Sequence, residues 1–158
     1  MEVEVIRSAR RQKTVQARQV GGKLRISIPA TLTQAEEARW IDEMTRRFER
    51  RAQVEPIDLV ERAGALARQY GLPAPTSIRW VENQHNRWGS CTTGTGAVRI
   101  STALASFPRW VLDYVIVHEL AHLVEPSHRS AFWALVARYP HTERARGYLI
   151  AKGVEPDG

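Results

Sequence analysis

Polar and apolar positions along the chain change their period several times, and each change predicts an element. From Val15 to Pro29 they alternate: Val15 and Ala17 on one side of a Gly21-Gly22 pair, then Leu24, Ile26 and Ile28 on the other. Alternation around a Gly-Gly turn predicts a β-hairpin, with Pro29 closing its second strand. The period then lengthens. Thr33-Gln-Ala-Glu36 is a capping box, and Trp40, Ile41, Met44 and Phe48 follow at helical spacing, so a helix is expected to about Arg51. Arg46, Arg47, Arg50 and Arg51 lie mostly on the other side with Glu43 and Glu49, as a solvated face. Asp58 caps a second helix with Leu59, Ala63, Leu66, Ala67 and Tyr70 inside, and Gly71 stops it. Leu72-Pro-Ala-Pro75 is a rigid connector too short to link domains.

Alternation returns at Ser77–Glu82 and at Ala97–Ser101. The small-residue stretch Arg87–Gly96 between them reads as a turn region, so the two strands are expected to pair as a second antiparallel hairpin. Pro108 then opens a helix whose segment Trp110–Val124 is apolar on almost every side but contains Asp113, His118, Glu119 and His122. A helix that is apolar all round is an inner one. Its histidines are four residues apart and point within roughly 40° of each other, with Glu119 about 100° round from His118. Asp113 falls on the far side and is expected in a salt bridge instead.

Two imidazoles and a carboxylate on a core helix are costly unless something compensates them. A zinc ion does so, and catalytic zinc takes three protein ligands and one open position. The third ligand must come from beyond the helix, from Glu125, His128, His141 or Glu143. Glu125-Pro126-Ser127 breaks the helix. His128 then opens another with Ala131, Phe132, Leu135 and Val136 as its stripe, and a bend of this kind folds His128 back to the ion. Glu125 ranks below it, pointing some 300° round, and His141 reads as a surface or capping residue. Zinc brings the pKa of water towards neutrality and polarises a carbonyl, while Glu119 takes the proton and passes it to a leaving amine. Arg87, His85 and Tyr148 are candidates for steadying the oxyanion.

Composition narrows the setting. With 158 residues, 43% hydrophobic and 25% charged, the chain reads as one soluble domain spanning 1–158. Residues 1–30 form a basic hairpin segment and 76–158 the metal-site half. Its one cysteine, Cys91, allows no internal disulfide and reads as a small buried residue, not a nucleophile. The start, Met1-Glu-Val-Glu-Val-Ile-Arg, lacks a long apolar core, so no signal peptide is expected; a cytoplasmic monomer with no membrane span follows. The net charge of +6 is concentrated in residues 1–25, with seven bases against two acids. No aromatic residue is interleaved there to stack on bases, so solvated arginines are favoured over a nucleic-acid surface.

Arg87-Trp-Gly-Ser-Cys91, Pro108, Asp113-Tyr-Val-Ile-Val-His118-Glu-Leu-Ala-His122, then His128 with Phe132-Trp133 and Pro140, resemble the YgjP-like zinc metallopeptidases. So does the opening Arg7-Ser-Ala-Arg10-Arg11-Gln-Lys13 before a hairpin ending in Pro29. The resemblance implies a zincin-type α+β domain related to the SprT-like proteases, with a small antiparallel sheet packed on helices. It implies His118, His122 and His128 as zinc ligands, Glu119 as the base, and a peptide or protein substrate. Arg129 departs from the small residue expected after His128. In the wider zincin architecture an edge strand beside the metal pairs with an extended peptide. By resemblance, Ser77–Glu82 or Ala97–Ser101 takes that place, with Arg87, Trp88 and Ser90 near the cleft as substrate-binding candidates. Trp88 and Trp133 also suit core positions. Two other readings use the same residues: a metal-dependent hydrolase of phosphoanhydrides, and a nucleic-acid-associated module with a structural metal.

Overall fold

A computed structural model describes residues 1–82 and 87–153. The chain forms two compact units, Met1–Ala52 and Gln53–Gly158.

In the first unit, β1 (Val3–Ser8), β2 (Gln16–Val20) and β3 (Lys23–Pro29) form a sheet in the order β1-β3-β2. The β2–β3 hairpin is the expected one. Gly21 and Gly22 both have positive φ, 55° and 78°, which a side chain would resist. The first strand was not expected. Val3 and Val5 alternate with Glu2 and Glu4, and β1 runs parallel to β3 with Val3 opposite Leu24. Leu24, Ile26 and Ile28 are fully buried, and Ile41, Met44 and Phe48 of α1 (Gln34–Val54) pack on them. The capping box forms, with the Glu36 N–H donating to the Thr33 hydroxyl at 3.2 Å and the Thr33 N–H donating to the Glu36 carboxylate at 3.3 Å. Lys23 pairs with Glu2 at 2.8 Å, Arg25 with Glu4 at 3.0 Å and Arg7 with Glu37, so much of the basic surplus is answered within the same unit.

The second unit begins with α2 (Leu59–Tyr70). Asp58 caps it by accepting from the Glu61 N–H at 3.0 Å, and Gly71 ends it at φ 64°. Strands β4 (Ser77–Val81), β5 (Gly89–Thr92) and β6 (Ala97–Ser101) follow, then a 3-10 turn Thr102–Ser106 and helices α3 (Arg109–His122), α4 (Ser130–Val136) and α5 (Thr142–Ala151). The sheet corrects the expected hairpin. Its order is β4-β6-β5, and β4 runs parallel to β6, with Arg79 opposite Arg99. The hairpin is β5–β6, formed where a turn region was expected. Gly-Ser-Cys-Thr has neither the bulk nor the β-branching that marks a strand by composition alone. The Gly96 N–H bonds to the Thr92 carbonyl at 2.9 Å, and Gly96 has φ 73°. A Cβ there would also run into the Thr76 hydroxyl, so two constraints require glycine. Both sheets are therefore mixed, where a single antiparallel one was expected.

Every residue of α3 from Val111 to His122 is buried. The helix packs against α2, α4, α5, β5 and β6. Asp113 lies opposite the histidine side and takes the Arg62 guanidinium bidentately, with Nε donating to Oδ1 at 2.7 Å and Nη2 to Oδ2. That pairing raises the Arg62 pKa above its ordinary value, the hydrogen bond outweighing partial burial. Arg62→Ala should strip a buried carboxylate of this partner and destabilise the protein by about 1–3 kcal/mol. Denaturant unfolding at pH 7 measures it; a change within about 0.5 kcal/mol, ordinary for a surface substitution, would show the pair to be incidental. Among the described residues, no helix is long and apolar enough to cross a membrane.

Candidate metal centre

Helix α3 carries His118, Glu119 and His122 with relative exposures of 1%, 4% and 8%, so the three polar groups enter the core on a rigid element. After Leu123 the chain leaves the helix. The Glu125 N–H still bonds back to the Ala121 carbonyl at 2.9 Å, but Pro126 has no N–H to continue the ladder. The resulting bend returns His128 to the helix end, two residues before α4 and not within it. His128 Nε2 lies 3.0 Å from His122 Nε2. One ligand nitrogen from each of His118, His122 and His128 lies within 4.8 Å of the others. His141 precedes α5, exposed and with no side-chain cap bond, while Glu143 pairs with Arg146 at 3.4 Å.

Aromatic packing holds the three imidazoles in place. Phe132, fully buried on α4, stacks on His122 at 4.3 Å and 20°, and meets His118 and His128 edge-on at 4.9 Å each. Trp133 closes on His118 at 5.9 Å and His128 at 6.0 Å, and the Arg146 guanidinium lies over the Trp133 ring, 4.5 Å from its centre. From their spacing alone, Phe132 and Trp133 read as apolar packing.

The outward ring nitrogens also have partners. His122 Nδ1 lies 3.2 Å from the Glu125 backbone carbonyl, which can only accept, so Nδ1 is the donor in that contact and Nε2 is the nitrogen turned towards the other imidazoles. His118 Nδ1 lies 3.3 Å from the hydroxyl of the fully buried Tyr114, one helical turn earlier. The role of Tyr114 was missed in the sequence, although its four-residue spacing from His118 is the signal that could have found it. The Glu125 contact left no such signal, because the acceptor is backbone and depends on the bend.

A tetrahedral ion with metal–nitrogen bonds of 2.0–2.1 Å needs ligand nitrogens roughly 3.4 Å apart. The separations here begin at 3.0 Å and end within 4.8 Å, so small rotations of the rings suffice. The donors are all imidazole, a set that suits zinc among the common divalent ions. The residues fit the metal.

Glu119 faces β5. A Cβ built on Gly89 would stand 3.2 Å from Glu119 Cγ, 3.1 Å from Val115 Cγ1 and 3.2 Å from the Arg99 carbonyl oxygen. The missing side chain at Gly89 is thus what lets strand and helix meet at the carboxylate. Cys91, two residues on and therefore on the same face, has its thiol pushed up to about 11, chiefly by burial and then by the Glu119 charge. At neutral pH it stays a thiol, consistent with a packing role.

The edge-strand expectation changes. Among the described residues, strand β6 is paired on both sides and β4 is the far edge, so the edge strand next to Glu119 is β5. Ser90 points to the opposite face of β5 from Gly89 and accepts from Arg99 Nε at 2.9 Å. Arg87 is exposed just before β5, while Trp88 is half-buried against Phe107 at 5.4 Å. Tyr148 belongs to the same aromatic group, 5.2 Å from Phe107 and 5.7 Å from Trp110. His85 lies outside the described residues.

Residues 5–151 match the YgjP-like metallopeptidase domain. No curated protein matches the chain. Two solved structures resemble it, both metallopeptidase zymogens. One is abylysin of Pyrococcus abyssi, with TM-score 0.53 and 19% identity over 59% of this chain and 92% of that one. The other is jannalysin of Methanocaldococcus jannaschii, with TM-score 0.52 and 18% identity over 61% and 97%. At such identity the likeness concerns the fold alone.

Proposed function

The chain belongs to the YgjP-like metallopeptidase family, and from that premise we propose that His118, His122 and His128 hold one zinc ion and that Glu119 is the general base of peptide-bond hydrolysis. The observation that carries this reading is the convergence of three imidazole nitrogens within 4.8 Å beside a buried carboxylate. When bound, the ion supplies Lewis acidity that acidifies water and polarises a carbonyl.

The chain's own residues do the rest. Tyr114 and the Glu125 carbonyl set the orientation of two imidazoles through Nδ1, so the Nε2 atoms are presented without further rearrangement. Glu119 accepts a proton from the attacking water and returns it to the leaving nitrogen. Its place on a packed helix limits reorganisation during the reaction.

Substrate is expected along β5. The Ser101 N–H donates to the Trp88 carbonyl at 2.9 Å. Antiparallel ladders alternate, so Ser90 and Thr92 also turn their backbone groups to β6, while Gly89 and Cys91 turn theirs to the side of β5 that pairs with no strand among the described residues. An extended peptide can add there as a further strand, and its scissile bond then runs past Glu119. Of the residues singled out by resemblance, Arg87, Trp88 and Ser90 flank this edge; Arg87 is the best placed by exposure to meet an anionic group. The reading includes a monomer in the cytoplasm, supported by a single cysteine that leaves no disulfide within the chain. Neither the phosphoanhydride nor the nucleic-acid reading gains support from the family.

Gly89→Ala should lower kcat by up to about 100-fold, because the added methyl displaces Glu119 or the strand beside it. Metal content should not change. Wild-type kcat in this variant would mean that the close approach of β5 has no catalytic use. The function itself is tested by incubating the zinc-loaded protein with a peptide mixture and, separately, with nucleoside triphosphates. Peptide cleavage that stops on chelation and returns with zinc is expected. Triphosphate turnover without peptide cleavage would replace this reading with the phosphoanhydride one.

A further inference from the structure

On the reading that a peptide pairs with β5, the outer face of the same sheet bears on which peptides are accepted. Ile78, Val98 and Ile100 are buried on the inner face, together with Gly89. Ser77, Arg79, Ser90, Thr92 and Arg99 therefore lie on the other face, with Arg79 and Arg99 in register on neighbouring strands and Ser90 opposite Arg99. The Arg99 guanidinium does not stay over its own strand. Its Nε donates to Ser90 Oγ at 2.9 Å and its Nη2 to Thr92 Oγ1 at 2.8 Å, which carries the positive charge across β5, the strand with the open edge.

Both hydroxyls are neutral. Among the described residues, no carboxylate forms an ion pair with Arg99 or Arg79. An anion lying beside β5 on this face meets the Arg99 guanidinium directly. A peptide added to β5 alternates its side chains, one set towards α3 and the metal centre, the next towards the outer face. The outward set lies next to Ser90, Thr92 and the Arg99 guanidinium.

We propose that Arg99 is a specificity-determining residue that selects an aspartate or glutamate at an outward-facing position of the substrate. A carboxylate there accepts a charge-assisted hydrogen bond from the guanidinium, while the hydroxyls of Ser90 and Thr92 keep Arg99 extended over the strand. Side chains two residues apart in the substrate share this face, so the acidic preference falls on alternate positions, and intervening positions are read by the α3 side.

The test is a synthetic peptide library digested by the zinc-loaded wild type, by Arg99→Gln and by Arg99→Glu, with products sequenced by mass spectrometry. Wild type should favour an acidic residue over alanine on the order of tenfold in kcat/KM at a fixed position or at two positions of the same parity. Arg99→Gln, which can still hydrogen-bond Ser90 and Thr92, should lose the preference, and Arg99→Glu should turn it towards lysine and arginine. Zinc content and thermal unfolding of each variant separate a change of preference from a loss of fold. If Arg99→Glu proves unstable, Arg99→Gln alone decides the matter, by whether the acidic preference disappears. Cleavage by the wild type with no acidic preference, or a preference that survives both substitutions, would overturn the proposal while leaving the peptidase reading intact. Arg99-dependent binding of single-stranded DNA without such a preference would assign the face to a polyanion instead. Absence of any peptide cleavage would remove the peptidase reading and this proposal with it.

Discussion

Glu119→Gln is expected to bind zinc at the same stoichiometry as the wild type and to lose peptide hydrolysis by about 10²–10⁴-fold, the range that a positioned general base contributes. The substitution keeps the shape of the side chain and its place against Gly89, where Glu119 Cγ would stand 3.2 Å from an added Cβ. Packing is therefore conserved while the basic oxygen is lost, because an amide cannot take up a proton from water. The three imidazoles are untouched. Since Glu119 is 4% exposed, replacing a carboxylate by a neutral amide should not destabilise the fold through charge desolvation. Zinc content by mass spectrometry and single-turnover peptide cleavage, measured on one preparation, check both halves. Turnover within about threefold of the wild type would assign the base elsewhere; loss of zinc together with activity would make Glu119 part of the metal-binding set.

His128→Ala should weaken zinc binding by more than about 100-fold, beyond the upper end of what removing an outer partner of a ligand costs. The loss should match that of His122→Ala. The comparison is informative because the two residues differ so much in setting. His122 is buried on α3, whereas His128 is exposed on the bend before α4. Removing an exposed imidazole has little direct effect on the core, so a stability loss in metal-free His128→Ala should be small, while His122→Ala also loses its stacking on Phe132. Equal losses of zinc affinity with unequal losses of apo stability identify both as ligands. Competition with a chromophoric chelator measures the affinity; zinc retention by His128→Ala would point to another third ligand.

Much of the site was legible because it depends on local spacing. His118 and His122 are one helical turn apart, and an inner helix follows from the apolar residues on all sides of them. The salt bridge expected for Asp113 follows from the same helical angles. His128 was legible for a different reason: a proline-containing break after the helix can fold the chain back and bring a third imidazole to the helix end. The helix caps at Thr33 and Asp58 are local as well, and they formed as expected. What was not legible is non-local. Parallel pairing of β4 with β6 and of β1 with β3 involves segments some 20 residues apart, and alternation within a strand says nothing of its neighbour's direction. Strand β5 was hidden by small residues whose value lies in what they leave out. Gly89 reads as a turn residue until Glu119 is seen to pack against it. The Arg99 bridge to Ser90 and Thr92 depends on that same unrecognised strand.

In the proposed site three imidazoles, and no other side chains, hold a catalytic zinc ion beside Glu119. X-ray absorption at the zinc edge of the purified, zinc-loaded protein reads that ligand set. Three nitrogen scatterers with imidazole outer-shell features and one oxygen, all at about 2.0–2.1 Å, are predicted. A sulfur scatterer near 2.3 Å, which would implicate Cys91, or a shell of four protein ligands with no oxygen from water, would contradict it.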